Sequence, residues 1–163
     1  MVTREFPELW AALEQVPDPE IPVLSVVDLG VVRDIRHDGS RYVVDVSPTY
    51  TGCPALDMMS DSVRQALEQF TGERVHIEHV LSPPWTTDWM SADAREKLRA
   101  YGIAPPVGKT QDKRSLFGPK PDVPCPRCAS EETELQSNFG STACKSLYFC
   151  PKCSEPFEHF KCH

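Results

Sequence analysis

The sequence predicts an α+β domain followed by a small metal-binding ribbon, and three observations support this fold class. Over the first hundred positions, segments with apolar residues at helical spacing alternate with segments rich in β-branched residues. A stretch dense in proline and glycine follows. Six of the seven cysteines then lie in the last forty residues. We therefore expect residues 1–103 to form the α+β domain, residues 104–123 a linker, and residues 124–163 a zinc ribbon.

Apolar residues recur at helical spacing in three segments, which we interpret as helices over residues 6–16, 56–70 and 92–101. Pro17 ends the first helix, and Gly102 stands behind the third as a stop signal. Ser91 immediately precedes the third, where its hydroxyl can cap the first turn. These helices are expected to cover one small sheet.

Two segments rich in β-branched residues, residues 31–36 and 42–47, are joined by a turn that contains Asp38 and Gly39. Asp-Gly tolerates the positive φ of a tight turn, so the pair is predicted to form an antiparallel hairpin. A third strand is expected over residues 75–81. Together with the helices, these strands give a helix-on-sheet domain.

The net charge of −7 is concentrated in the first part of the chain. Residues 1–104 carry nine basic and seventeen acidic side chains, whereas residues 105–163 carry eight and seven. An acidic main domain opposes binding to nucleic acid. The first residues are charged instead of forming an export signal, and no segment approaches the ~18 apolar residues of a membrane span. We expect a cytoplasmic protein that binds neither nucleic acid nor membrane.

The strongest motif is a pair of Cys-x-x-Cys sequences separated by twenty-one residues. The two-residue gap lets both sulfurs of a pair face one ion, and two pairs supply the tetrahedral thiolate set that Zn²⁺ prefers. Four protein thiolates leave no position for water or substrate, so the predicted zinc is structural. The predicted ligands are Cys125, Cys128, Cys150 and Cys153.

Further metal-binding side chains in the tail keep alternatives open. Cys144 and Cys162 are additional ligand candidates, and His159 and His163 offer nitrogen. An iron–sulfur cluster also takes four thiolates, so the tail could hold a cluster in place of zinc.

Cys53 stands alone, seventy-two positions before the next cysteine, between Gly52 and Pro54. Proline suits the first position of a helix, which predicts Cys53 as the N-cap residue. The helix dipole and the unpaired N–H groups there would favour a thiolate. The competing interpretation is a small buried apolar residue, because Asp57 and Asp61 follow within two turns and oppose a further negative charge.

Asp18 and Glu20 lie in a loop bracketed by prolines, and Asp28 follows closely. Their carboxylates could join Cys53 as hard ligands for iron. Equally, they could make only turns and caps. No ordered nucleophile–histidine–acid set and no glycine-rich phosphate loop is recognisable, so we predict no catalytic residues and no self-contained enzyme.

The run VPDPEIPVLSVVDLGVVRDI followed by VSPTYTGCPAL resembles the small α/β domain of iron–sulfur assembly factors. In that family an Asp-Pro-Glu-hydrophobic-Pro loop and a Gly-Cys-Pro turn are the signature elements. The resemblance spans roughly residues 8–85. It implies a functional thiol at Cys53, with Asp18 and Glu20 as companions in the family loop.

Nearly the whole chain resembles the D subunits of bacterial phenylacetyl-CoA oxygenases, the ring 1,2-epoxidases of aerobic phenylacetate breakdown. The strings LSPPWTTDWMS and FGSTACKSLYFCPKCSEPFEHFKC carry this resemblance. It implies a non-catalytic accessory subunit whose partners are the di-iron oxygenase or its reductase. It also implies that the subunit helps to mature a metal centre, with Cys53 transiently holding iron or an iron–sulfur cluster.

Other functions remain open from the residues. The protein could be a docking module of the same complex in which Cys53 only packs, or a general iron–sulfur assembly factor. A nucleic-acid-binding ribbon requires a salt-sensitive affinity that the acidic balance opposes. A thioester-cleaving enzyme with Cys53 as nucleophile requires a base that the sequence does not supply.

Overall fold

The structure, a computed structural model, describes residues 5–50, 52–107 and 122–161. The chain divides into two compact units, Met1–Trp85 and Thr86–His163. Each unit contains its own sheet. The mixed helix and sheet composition confirms the predicted α+β class.

The elements of the first unit are α1 (Pro7–Leu13), β1 (Val32–His37), β2 (Tyr42–Val46), α2 (Leu56–Thr71) and β3 (Val75–His79). Strands β2 and β3 pair in parallel, and helix α2 forms the crossover between them, which makes a short βαβ arrangement. Strands β1 and β2 form the predicted antiparallel hairpin, in which Asp38 Oδ1 accepts hydrogen bonds from the backbone N–H groups of Ser40 and Arg41. The sheet order is β1-β2-β3.

Helices α1 and α2 contact each other, and their apolar stripes are buried with the apolar residues of the sheet. The unit ends at Trp85, whose indole N–H donates to the carbonyl of Leu29 over 2.9 Å. This hydrogen bond ties the end of the unit to the loop before β1. The fully buried core side chains that these helices and strands contribute include Leu9, Leu13, Ile35, Val44, Met59, Val63 and Leu67. No helix in the described ranges is long and apolar enough to cross a membrane.

The elements of the second unit are α3 (Ala92–Tyr101), β4 (Ile103–Ala104), β5 (Glu134–Ser137), β6 (Lys145–Cys150) and β7 (Glu155–Phe160). The four strands form one sheet in the order β4-β7-β6-β5. Strand β4 pairs in parallel with β7, and the β5–β6 and β6–β7 pairs are antiparallel. Ser91 caps α3 as predicted, because its hydroxyl accepts from Ala94 N over 3.0 Å.

The division after Trp85 differs from the boundary that we predicted at residues 103 and 104. Helix α3 was expected to cover the first sheet, but the strand that follows it pairs with β7 of the ribbon. Arg95 strengthens this arrangement, since its guanidinium donates to the carbonyls of Thr87 and Pro106. The helix therefore belongs to the ribbon unit.

The ends of the predicted linker are also folded into the second unit. Ala104 lies in β4, and Val123 is fully buried in a cluster with Tyr148, Phe157 and two cysteines. Residues 108–121 of the predicted linker lie outside the described residues. The ribbon thus has a larger apolar core than its own hairpins supply.

Candidate metal centre and thiol site

Two turns of the same shape present the Cys-x-x-Cys sequences. In the first knuckle (residues 125–128), the N–H of Ala129 donates to the carbonyl of Cys125 over 2.9 Å. In the second knuckle (residues 150–153), the N–H of Ser154 donates to the carbonyl of Cys150 over 2.8 Å. Ala129 and Ser154 both have φ 58°, a left-handed conformation that is unusual without glycine. The sequence did not lead us to predict a left-handed conformation for these two residues, although each of them directly follows a Cys-x-x-Cys motif.

The four sulfur atoms of the knuckles converge on one point. All four lie within 4.8 Å of one another, with Cys125 Sγ 3.8 Å from Cys153 Sγ and Cys128 Sγ 3.6 Å from Cys150 Sγ. A tetrahedral ion with metal–sulfur bonds of about 2.3 Å separates its ligand sulfurs by about 3.8 Å. The spacing therefore fits a single ion bound by four thiolates.

The pKa values of two of the four thiols are shifted in opposite directions. Hydrogen bonds from the backbone N–H of Cys153, with smaller contributions from Cys128 and Lys152, lower the pKa of the Cys150 thiol to about 7. Burial, together with hydrogen bonds to neighbouring cysteines, raises the pKa of Cys153 to about 12. Cys153 must lose its proton to become a metal ligand, so metal binding by the set releases protons.

The other candidate ligands of the tail do not join this group in the part of the chain that the structure describes. Cys144 is buried, and its Sγ lies 3.0 Å from Thr142 Oγ1. His159 is buried on β7, where its Nδ1 lies 3.3 Å from Ser146 Oγ. Cys162 and His163 lie outside the described residues.

Cys53 lies in a turn that leads into α2, and this placement differs from our prediction. Its N–H donates to the carbonyl of Tyr50, and its own carbonyl accepts from Leu56 N, each over 3.2 Å. The helix begins at Leu56 with Ala55 as its N-cap residue, so Cys53 precedes the cap by two positions. Pro54 belongs to this preceding turn and does not occupy the first helical position.

The Cys53 side chain is 7% exposed, so it lies just below the surface. Gly52 beside it is exposed and has φ 79°. A Cβ atom at Gly52 would meet nothing within 4 Å among the residues that the structure describes, which leaves space there next to the turn. The arrangement gives a small molecule or a partner a free approach to the backbone beside the thiol.

Two carboxylates in and near the proline-bracketed loop, those of Asp18 and Asp28, accept hydrogen bonds from backbone N–H groups. Asp18 is buried, and its Oδ1 accepts from the N–H groups of Glu20 over 2.9 Å and Ile21 over 2.6 Å. Asp28 and Ser25 bond reciprocally, since each side chain accepts from the backbone N–H of the other over 3.0 Å. Glu20 is half-buried. These bonds order the loop before β1.

Two family descriptions match the chain, one within the first unit and one within the second. Residues 7–78 match “Iron-sulfur cluster assembly protein”, and residues 109–161 match “PaaD zinc beta ribbon domain”. The fold and the four-cysteine group thus define the class of protein: an iron–sulfur assembly domain joined to a cysteine-rich ribbon.

The chain belongs to the family of phenylacetyl-CoA epoxidase D subunits. It is 50% identical over 155 residues to the putative D subunit of the 1,2-phenylacetyl-CoA epoxidase of Escherichia coli (strain K12), and the match covers 95% of this chain and 92% of that protein. It is also 39% identical over 95 residues to the Bacillus subtilis (strain 168) “Fe-S protein maturation auxiliary factor YitW”, covering 55% of this chain and 89% of that protein.

A solved structure agrees with the fold of the first unit. The crystal structure of a domain of unknown function, DUF59, from Bacillus anthracis is similar with a TM-score of 0.52 and 29% identity. The match covers 56% of this chain and 89% of that structure. The fold of the first unit is therefore shared with this solved domain.

Proposed function

We propose that this protein is a non-catalytic accessory subunit that helps to mature a metal centre of a phenylacetyl-CoA epoxidase. The observation that carries the proposal is the combination, in one chain, of an iron–sulfur assembly unit and the ribbon of the D subunit family. Proteins similar to the first unit are named iron–sulfur maturation factors. The proposed partners are the di-iron oxygenase or its reductase, and the proposed setting is the cytoplasm, whose reducing conditions keep thiols free.

Cys53 is the residue that we propose as the transient holder of iron or a cluster. Its turn is open on the Gly52 side, so a recipient protein can reach the backbone beside the thiol. The thiol gives up a proton when it binds iron and takes one back on release. Asp18 and Glu20 are proposed to support this site as part of the ordered loop before β1, with Glu20 more accessible than Asp18.

The four-cysteine group is proposed to hold one zinc ion with a structural role. Thiolate ligands at tetrahedral spacing suit zinc, and a closed set of four leaves no room for a substrate. Its residues would orient the two knuckles and connect β6 to β7. Cys144 and Cys162 are not needed for this set.

A second candidate function is a docking module in which Cys53 only packs. The burial of Cys53 favours this alternative, since buried cysteine commonly serves as a small apolar residue. Under this function the protein holds the epoxidase components together and transfers no metal.

The two functions are separated by Cys53→Ser and Cys53→Ala variants, with Cys144→Ser as the matched control in another buried cysteine. Each variant replaces the wild-type protein in cells that grow on phenylacetate, and epoxidase activity is measured together with the iron content of the purified oxygenase and of its purified reductase. We expect both Cys53 variants to lower activity and iron content while Cys144→Ser leaves them near wild type. Normal iron loading in folded Cys53 variants would leave only the docking function.

A further inference from the structure

The second unit carries a surface groove of about 430 Å³ beside the first knuckle. One wall is the C-terminal end of α3, and the other is the tip of the knuckle. Its main lining residues are Glu96, Arg99, Tyr101 and Gly102 on the helix side, and Pro126 and Arg127 on the knuckle side. The groove belongs to the second unit, whereas Cys53 belongs to the first.

The guanidinium groups of Arg99 and Arg127, which line the groove, carry more hydrogen-bond donors than are paired among the residues that the structure describes. Arg99 pairs with Glu96 one turn earlier on α3, which occupies one of its guanidinium nitrogens. Arg127 is exposed and has no carboxylate partner among the residues that the structure describes. Each guanidinium presents five donors in a planar fork that suits carboxylates. Two such groups face one groove in a protein whose net charge is −7.

An aromatic ring lies beside the two arginines. Tyr101 is 59% exposed, although tyrosine is a large side chain with substantial apolar area. Aromatic residues and arginine are the residue types enriched at protein interfaces and at their energetic centres. The groove therefore combines cationic and apolar contacts within one surface.

Both walls of the groove are held by local structure. Gly102 ends α3 with φ 94°, and its N–H donates to the carbonyls of Arg99 and Leu98. The chain then enters β4, which pairs with β7. On the other side, Arg127 lies between Cys125 and Cys128, two of the four converging cysteines. Walls fixed in advance lose little entropy when a partner binds.

We propose that this groove docks an acidic segment of a partner protein of the epoxidase, whose carboxylates pair with Arg99 and Arg127 and whose apolar side chain packs on Tyr101. The occupant is a protein segment because Glu96, Arg99, Tyr101 and Arg127 are all exposed, and a small ligand would keep most of its surface in water instead of being enclosed. Complementary charge sets the choice of partner. The proposal extends the accessory role and does not depend on the chemistry of Cys53.

The position of Arg127 links docking to the metal. The four thiolates hold the first knuckle in its folded shape, so removal of the ion releases one wall of the groove. Docking should therefore require the metal-loaded ribbon, whereas a Cys53→Ser variant should dock normally. This difference separates a failure of docking from a failure of the proposed maturation role.

The test uses the full metal-loaded chain and the purified oxygenase and reductase components of the same organism, each measured separately by calorimetry at two salt concentrations. The variant is Arg99→Glu combined with Arg127→Glu. The matched control is Lys152→Glu, because Lys152 is exposed at the equivalent position of the second knuckle and does not line the groove. Metal content and circular dichroism establish that each variant is folded.

We expect the double variant to weaken binding to one component by at least about 30-fold, since close charge pairs across interfaces contribute substantially to affinity. Lys152→Glu should change the affinity by less than about threefold, because it alters net charge but not the groove. Equal losses in both variants, unchanged binding in the double variant, or no binding by the wild type to any component would overturn the proposal. Displacement of the bound component by millimolar coenzyme A or inorganic phosphate would instead identify a site for small anions and would also overturn it.

Discussion

At the residue scale, each of the two knuckles is followed by a non-glycine residue, an alanine or a serine, in a left-handed conformation that glycine adopts with less strain. Ala129 and Ser154 have φ 58° in equivalent turns. The left-handed conformation costs an L-residue about 1–2 kcal/mol, and glycine escapes most of this cost. The knuckles therefore store a small strain that the turn hydrogen bonds offset.

Ala129→Gly and Ser154→Gly are expected to stabilise the protein by about 0.5–1 kcal/mol each, because relief of the left-handed strain exceeds the added chain entropy of glycine. The melting temperature of the metal-loaded protein measures the effect. Ala100→Gly is the control, because Ala100 is exposed within α3. Glycine at this helical position is expected to lower the unfolding free energy by about 1 kcal/mol. A loss of similar size in Ala129→Gly would contradict the argument.

His159 is a buried side chain with one unsatisfied nitrogen. Its Nε2 has no hydrogen-bond partner in the described parts of the chain, while Nδ1 faces Ser146 and the ring packs edge-on against Tyr148. Burial lowers the pKa of His159 to about 4, and the positive charge of Lys161 adds to this effect. The neutral imidazole is thus the form that the fold accepts.

The unfolded chain binds a proton at His159 with a pKa near 6.5, whereas the folded chain resists protonation until about pH 4. Stability is therefore lost as the pH falls through this window, and we expect a contribution of about 2 kcal/mol to disappear between pH 7.5 and pH 5. Urea unfolding of wild type and His159→Gln at both values measures it, with metal content checked in each sample. His76→Gln, at an exposed histidine, should keep the full wild-type dependence.

At the scale of elements, Arg95 connects helix α3 to the segments that precede and follow it. Its guanidinium bridges the short 3₁₀ helix before α3 (Thr87–Trp89) and the chain after β4, by donating to the carbonyls of Thr87 over 2.9 Å and Pro106 over 2.8 Å. The Thr87 carbonyl also accepts from Met90 N over 3.3 Å, so Arg95 adds a second donor there. The helix is thus fastened at both of its flanks.

Arg95→Met keeps the aliphatic stem and removes both hydrogen bonds. We expect it to lower the unfolding free energy of the second unit by about 2 kcal/mol, the scale of lost hydrogen bonds to a charged group. Arg99→Met is the comparison, because an exposed ion pair on a helix contributes below about 0.5 kcal/mol. Hydrogen exchange of α3 and β4 would locate the loss, and equal effects of the two variants would refute a special role for Arg95.

At the scale of the whole molecule, metal binding should affect the two units differently. The four sulfurs belong to the second unit alone, and the buried cluster of that unit includes Cys125 and Cys150. The first unit has its own sheet and apolar core. A metal ion bound by these four sulfurs would therefore stabilise the second unit directly.

Removal of the ion by a chelator under anaerobic conditions is expected to abolish hydrogen-exchange protection in β5, β6 and β7 while β1, β2 and β3 keep theirs. Affinity for the ion should rise with pH, because the Cys153 thiol, with its pKa raised to about 12, must release a proton on binding. Exchange measured with and without metal, and competition with a chelator at pH 6.5 and 8, test both statements. Loss of protection in all six strands would show a single folding unit.

The sequence by itself determined the features that depend on local chemistry. Helix and strand periodicity, the Asp38-Gly39 hairpin and the Ser91 cap act over a few residues, so they could be read from the printed chain. The spacing of the two Cys-x-x-Cys pairs likewise predicted the sulfur group, because tight knuckles leave few arrangements for four thiolates.

Only the tertiary structure decided which elements meet. Periodicity shows that one side of α3 is apolar but not which sheet it covers, and the pairing of β4 with β7 settled that question. Helix α2 begins at Leu56, after a turn that the position of Pro54 in the sequence does not specify. For this reason Cys53 lies in the turn and is not the N-cap residue. The approach of Arg99 and Arg127 to one groove joins residues twenty-eight positions apart. Such contacts arise from long-range packing, and the sequence records them only indirectly.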